Sequence, residues 1–306
     1  MKKFILGCSM LLTLFLGCAS ILNSQEPYPP VFDNAREVVY KEIDGIQLKL
    51  WIFNPSGLRL TDKRPAIIFF FGGGWTSGSP GQFEKQCEYL AARGMVAITA
   101  DYRVKSRHNV LADKCVADAK SAIRWVRKNA ATLGIDPVRI VAGGGSAGGH
   151  LAAATAMIPT LDEPGEDKAV SCVPNAMVLF NPALITAPGA TKNSEFESKM
   201  VLSGNRIGVP AVDFSPCHHI KPGLPPAIIF HGIDDPTVPF FTVKIFTEKM
   251  KEQGNRCELV GYKGEKHGFF NYGKKSNGPF VSTIEKMDAF LVSLGYLDPL
   301  PETELY

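Results

Sequence analysis

None of the seven cysteines of this 306-residue chain forms a CxxC pair, and none of its six histidines pairs with another at metal-ligand spacing backed by carboxylates. Protein zinc sites need such clusters, so neither a metal nor any other cofactor is expected. Basic blocks and aromatic-interleaved basic stretches are also missing. The 33 Lys and Arg stand against 30 Asp and Glu, a formal charge of +3, so nucleic acid is not an expected partner. There is no internal repeat and no low-complexity tract. With 45% hydrophobic residues, the chain is long enough for one large domain with a well-buried core.

The first residues read as a targeting segment. Lys2-Lys3 form a positive start, and Phe4 to Leu16 is an apolar run interrupted only by Gly7, Cys8, Ser9 and Thr13. That run is too short to span a bilayer comfortably and has signal-peptide proportions. It ends in Leu16-Gly17-Cys18-Ala19-Ser20, which resembles the lipobox of bacterial lipoproteins, with Phe15 where Leu is usual. The resemblance implies removal of residues 1–17 and lipidation at Cys18 as the new N-terminus. It also implies an exported protein, periplasmic or on the cell surface, lipid-anchored to a bacterial membrane. Ordinary cleavage after a nearby small residue is the alternative. Residues 18–34, with Pro27, Pro29 and Pro30, read as an extended tether before a domain over 35–306. In an oxidising compartment Cys87, Cys115, Cys172, Cys217 and Cys257 can pair, but the number is odd, and they read mainly as buried small hydrophobes.

Along that domain, apolar strand-like runs alternate with helical ones. Val38 to Ile43 and Leu48 to Phe53 alternate in period two around Asp44-Gly45, predicting an antiparallel hairpin. Ala66 to Phe71, Met95 to Ala100, Val138 to Ala142, Ala176 to Phe180, Pro226 to His231 and Cys257 to Tyr262 read as strands, the first wholly apolar. Helices are expected near 84–93, 113–130, 243–253 and 281–294. The βαβα order predicts an α/β fold with a mostly parallel, doubly wound sheet and helices on both faces. Asn181 to Pro225 is the one long irregular stretch, expected to be a small cap or a crossover helix.

Gly144, Ser146 and Gly148 make Gly-x-Ser-x-Gly within Val141-Ala142-Gly143-Gly144-Gly145-Ser146-Ala147-Gly148-Gly149-His150. A β-branched run precedes it and an Ala-rich run, Leu151 to Met157, follows. The pattern is strand, sharp turn, helix, with a serine at the apex. Small neighbours relieve a strained apex, and the hydroxyl stands above a helix N-terminus that favours developing negative charge. A glycine-rich turn or phosphate loop is the plainer alternative.

A serine hydroxyl needs a base, an orienting acid and oxyanion donors to act as a nucleophile. Gly72-Gly73-Gly74-Trp75, directly after a buried strand, offers backbone N–H groups free of Cβ interference, with the N–H of Ala147 as a further donor. Trp75 is a candidate wall for a sugar or aryl group, or a core tryptophan. Asp235, in His231-Gly232-Ile233-Asp234-Asp235-Pro236, is the preferred acid; Asp234 then reads as a turn or capping residue. His267, in a loop after the last strand, is the base candidate. Among the others, His150 should pack or bond locally, His231 ends a strand, and His108, His218 and His219 fall in loops. The order Ser146, Asp235, His267 is that of α/β-hydrolases.

From about Val38 to Leu294 the chain resembles α/β-hydrolases of the esterase/lipase group, closest to bacterial carbohydrate acetyl-esterase and feruloyl-esterase-like members. The resemblance rests on Gly72-Gly73-Gly74-Trp75, Asp101-Tyr102-Arg103, Asp118 with Arg124-Trp125-Val126, and Leu133-Gly134-Ile135-Asp136-Pro137. It continues through Gly145-Ser146-Ala147-Gly148-Gly149-His150, His231-Gly232 with Asp235 and Pro239, and His267-Gly268-Phe269. It implies nucleophile Ser146, base His267, acid Asp235, and an oxyanion hole from Gly73, Gly74 and Ala147. The implied reaction is hydrolysis of small-molecule or polysaccharide acyl esters without a cofactor. One departure stands out: Phe71 occupies the position before the glycines where the family usually has His, so the loop must be braced by packing. A prolyl-oligopeptidase-like peptidase and a catalytically inactive binding protein of the same fold are the two alternatives.

Overall fold

Eight strands form one sheet in the computed structural model, which describes residues 28–190, 202–274 and 276–300. The strands are β1 (Arg36–Ile43), β2 (Ile46–Phe53), β3 (Arg64–Phe70), β4 (Val96–Ala100), β5 (Ile135–Gly145), β6 (Ala176–Phe180), β7 (Ala227–Gly232) and β8 (Cys257–Tyr262). Their spatial order is β1-β2-β4-β3-β5-β6-β7-β8. β1 and β2 are antiparallel, β2 enters antiparallel to β4, and every later pairing is parallel. This is the α/β-hydrolase fold.

Alternation along the strands builds a core on each face. In β3, Ile68 and Phe70 enter one core while Ile67 and Phe69 enter the other, and all four are fully buried. Helix Ala112–Lys128 and helix Ala147–Met157 cover the first face, and helix Glu84–Ala92 and helix Gly278–Ser293 the second. Every residue of Ala147–Met157 is buried, so this helix is apolar all round rather than amphipathic.

The sequence placed most elements within a few residues. β5 is the main difference: it starts at Ile135, ahead of the expected Val138, because Arg64 pairs with Ile135 before the β3–β5 register shifts. The five cysteines within the described residues are all buried thiols, and Cys115 Sγ donates to Arg103 O at 3.1 Å. Residues 1–27, with the expected leader and Cys18, lie outside the described residues. The end of the expected tether is not a free extended strand. Tyr28 OH donates to Asp101 Oδ2 at 2.5 Å, and Phe32 packs edge-on against Trp51 of β2, because aromatic surface gains from burial against the sheet face.

The chain's direction across the sheet reverses between β3 and β5. From β3 it steps to β4 on one side, then returns to place β5 on the other. Open α/β sheets leave a crevice at such a switch point, outside the carboxyl ends of the strands. The glycine loop follows β3 and Ser146 follows β5, so local sequence and topology put them side by side.

Candidate active site

Ser146 sits at φ 54 and ψ −117, and its backbone N–H donates to Phe180 O at 2.8 Å. The elbow lies flush against the end of β3: a Cβ on Gly148 would come within 2.0 Å of Phe70 O. Only glycine permits that approach.

His267 Nε2 lies 2.9 Å from Ser146 Oγ, and His267 Nδ1 lies 2.7 Å from Asp235 Oδ2. Asp235 is held on all sides. Asn181 Nδ2 donates to Oδ2 at 3.0 Å, and the Thr237 and Val238 N–H groups donate to Oδ1 at 2.8 and 3.0 Å. Burial opposes ionisation of this carboxyl, but the bonds from His267 and the two amides outweigh it and keep the pKa below the usual carboxylate value. Asp234 instead accepts from Gly264 N–H at 2.8 Å at the exposed surface, a turn role.

Gly73 (φ +126) and Gly74 (φ +62) need their missing side chains; a Cβ on Gly73 would lie 2.1 Å from Ser77 O. The Gly72 N–H is occupied by Gln82 Oε1 at 2.6 Å. The N–H groups of Gly73 and Gly74 donate to no acceptor among the described residues. Ala147 is the first residue of its helix, where an N–H has no intrahelical acceptor. Three N–H groups are therefore left without an acceptor among the described residues, and Gly74 and Ala147 line the cavity at Ser146.

Phe71 is fully buried and stacks on Tyr102, with centroids 4.0 Å apart, while Tyr102 OH donates to Phe71 O at 2.7 Å. Packing alone was expected to brace the loop. Packing is joined by hydrogen bonds, among them those of Tyr102 OH to Phe71 O and of Gly72 N–H to Gln82 Oε1. Gln82 Nε2 also donates to Asn271 Oδ1 at 3.0 Å, and Asn271 Nδ2 donates to Gly268 O at 2.9 Å. The glycine loop and the His267 loop are thus one bonded unit.

His150 differs from expectation. Its Nε2 bonds Phe214 O at 2.7 Å, across 64 residues, and its ring stacks on Phe214 at 4.1 Å. Burial pushes its pKa down to about 4, so at neutral pH it is an uncharged donor. His231 is buried, bonds Val238 O at 2.8 Å, and is likewise held below the usual histidine value by burial. His218 and His219 bond backbone oxygens of Pro188 and Val212, and neither lines the cavity at Ser146. His108 accepts from the Val104 N–H at 3.0 Å through Nδ1.

Asp118 and Arg103 form a buried bidentate pair, with Nε–Oδ2 and Nη2–Oδ1 distances of 2.8 Å. These two serve the frame rather than the site. Gln82, Asn181 and Asn271 were not singled out in the sequence. Asn181 had a signal, since it follows β6 at the same sheet edge; Gln82 and Asn271 had none.

A cavity of about 220 Å³ opens at Ser146 and Ala147, walled by Trp75, Ala183, Ile185, Leu202 and Val238. Trp75 is only 6% exposed, so it is both core and wall. Its ring meets His150 and Phe214 edge-on, and Arg206 Nη2 donates to Gly74 O at 3.0 Å behind it.

A serine, a histidine and an aspartate in one hydrogen-bonded line, at the strand ends of a mostly parallel sheet, define the α/β-hydrolase class. Within that class, the profile of the BD-FAE family matches residues 52–250, a span that includes Ser146 and Asp235 and stops short of His267. The chain belongs to the BD-FAE family. Esterase LipC of Mycobacterium tuberculosis is 29% identical over 81% of this chain and 63% of its own length. Carboxylesterase NlhH of the same species is 27% identical over 81% of this chain and 78% of its own. The solved structure of Thermogutta terrifontis esterase 2 is 54% identical with a TM-score of 0.85, covering 90% of this chain and 98% of that one. That esterase is also known with propionate and with butyrate bound. The chain spans 63% of LipC and 50% of the Arabidopsis thaliana probable isoprenylcysteine alpha-carbonyl methylesterase ICMEL1.

Proposed function

We propose that this protein is a serine carboxylic ester hydrolase that removes short acyl groups, acetyl or similar, from carbohydrates. The observation that carries the reading is the Asp235–His267–Ser146 line, with successive distances of 2.7 and 2.9 Å. His267 takes the Ser146 proton as Oγ attacks the ester carbonyl. The N–H groups of Gly73, Gly74 and Ala147 hold the oxyanion, each such donor being worth about 3 kcal/mol of barrier. Asp235 fixes the histidine tautomer and stabilises its charged form. The alcohol leaves with the proton from His267, and water then cleaves the acyl-enzyme by the same route.

The cavity of about 220 Å³ beside Ser146 supports a short acyl group. Propionate and butyrate bound to the Thermogutta terrifontis esterase support the same size class. Export and lipid anchoring through Cys18 belong to this proposal and bring the site to extracellular polymers and their fragments. Replacing Ser146 by Ala should lower p-nitrophenyl acetate hydrolysis by at least about 10⁴-fold and abolish fluorophosphonate labelling. Undiminished turnover by Ser146→Ala would overturn the assignment. A panel of acylated polysaccharides, assayed for acetate and hydroxycinnamate release, tests the substrate, and a peptidyl anilide tests the peptidase alternative.

A further inference from the structure

The glycine loop divides two hollows. Gly74 lines the small cavity at Ser146 and Ala147. Gly72 lines a separate groove of about 370 Å³, and a Cβ placed on Gly72 would lie 3.3 Å from Ser146 Cβ. Gly72 therefore stands between the groove and the nucleophile. Its other walls include Ser79, Gln82, Glu84, Lys85, Asn271, Tyr272 and Lys274. Asn271, Tyr272 and Lys274 belong to the loop that follows His267, whereas no described residue of that loop lines the small cavity.

The position of His267 gives the two hollows different tasks. In acyl transfer the histidine hands its proton to the departing oxygen, so the alcohol portion must lie on the histidine's side of Ser146. The groove is lined by the loop that follows His267. The acyl group is left with the small cavity behind Gly74.

We propose that this groove is the leaving-group subsite and that it takes a polyhydroxylated alcohol, a sugar unit, with Tyr272 as its platform. The proposal rests on the esterase reading above and adds where the alcohol binds. Tyr272 is 55% exposed and is held edge-to-face by Phe280, with centroids 5.3 Å apart, so a broad aromatic surface stands open at a fixed angle. Aromatic surfaces of this kind offer large contact area at little cost in rotamer freedom. Around it stand groups that donate. Lys274 makes no ion pair among the described residues and also lines the hollow beside His267. Ser79 Oγ accepts from the Gly81 N–H at 3.2 Å, which leaves its own proton for a ligand. Lys85 already pairs with Glu88 at 2.8 Å and contributes less. A fatty alcohol would strip water from these groups and give nothing back, whereas a ring of hydroxyls replaces that water.

Acyl-enzyme partitioning separates this proposal from the esterase reading. The enzyme is acylated with p-nitrophenyl acetate, and a methyl glycoside is added as acceptor. The sugar hydroxyl then attacks the acyl carbonyl: the sugar O–acyl bond forms, the Ser146 Oγ–acyl bond breaks, and the hydroxyl proton passes through His267 back to the serine. A leaving-group subsite binds the acceptor by microscopic reversibility. The wild type should give sugar acetate in excess of that formed with ethanol at equal hydroxyl concentration. Tyr272→Ala should lower the ratio of sugar acetate to free acetate about tenfold, a partitioning read after the acyl-enzyme has formed and so independent of how fast p-nitrophenol leaves. Lys274→Ala should lower the same ratio more modestly. A ratio unmoved by Tyr272→Ala, or a preference for acyl length that shifts in its place, would refute the subsite. Failure to release p-nitrophenol at all would instead sink the esterase reading.

Discussion

Gln82 and Asn271, 189 residues apart in the chain, share a hydrogen bond of 3.0 Å that ties the glycine loop to the loop carrying His267. The same Gln82 amide accepts from Gly72 N–H at 2.6 Å. Oxyanion donors and base are therefore set relative to each other by one side chain. Preorganised donors matter through their aim, so Gln82→Ala should lower kcat about tenfold with a smaller change in KM. Steady-state kinetics on a short-chain ester checks this. An equal loss confined to KM would assign Gln82 to substrate binding instead.

Asp235 accepts four hydrogen bonds, and it needs a carboxylate to face the His267 Nδ1–H. Asp235→Asn keeps the shape but presents a donor to a donor, or forces the wrong histidine tautomer. The expected loss in kcat is about 10⁴-fold with the fold retained. Circular dichroism and turnover, measured together, separate lost chemistry from lost structure.

Gly148 has no room for a side chain, since an added Cβ would meet Phe70 O at 2.0 Å and Phe71 O at 2.4 Å. Backbone oxygens cannot swing away as a flexible side chain does. Gly148→Ala should destabilise the protein by about 3 kcal/mol or more, read as a fall in the urea midpoint, and should misplace Ser146. A variant as stable and active as the wild type would show that the elbow relaxes freely.

His150 makes the stability depend on pH in a definite sense. Its pKa falls from 6.5 to about 4 on burial, so the unfolded chain binds the proton first. Its contribution is complete above the unfolded value and is lost as pH falls toward the folded one. The gap in stability between wild type and His150→Gln should narrow by about 3 kcal/mol from about pH 7 to about pH 4. Asp101, whose carboxyl is raised to about 6 by burial, acts in the opposite sense over that range. Urea melts of both proteins at each pH therefore give the test through their difference. A gap that stays constant would mean that His150 is not held neutral.

Much of the site was legible because its signals are local. The run before Gly144 and the Ala-rich run after it declare strand, turn and helix within twenty residues. Three glycines after β3 announce a backbone-lined loop in the same way. Asp235 and His267 were placed by their position after strands, and the fold brings both to within 3 Å of their partners in the line. The long-range braces were silent. Nothing in the sequence around Gln82 or Asn271 points one to the other, because their meeting depends on how the edge of β3 and the loop after β8 are stacked in space.

By itself, then, the sequence determined the order of strands and helices, the serine at a strained apex, and the presence of acid and base at strand ends. Periodicity and glycine carry that information within a few residues. Only the tertiary structure decided that Tyr102 and Gln82 hold the loop after Phe71 and that His150 reaches Phe214. It also decided that five cysteines stay apart as thiols, and that Gly72 and Gly74 face different hollows. Those outcomes depend on sheet order and register, which bring distant residues within hydrogen-bond range; no local pattern encodes them.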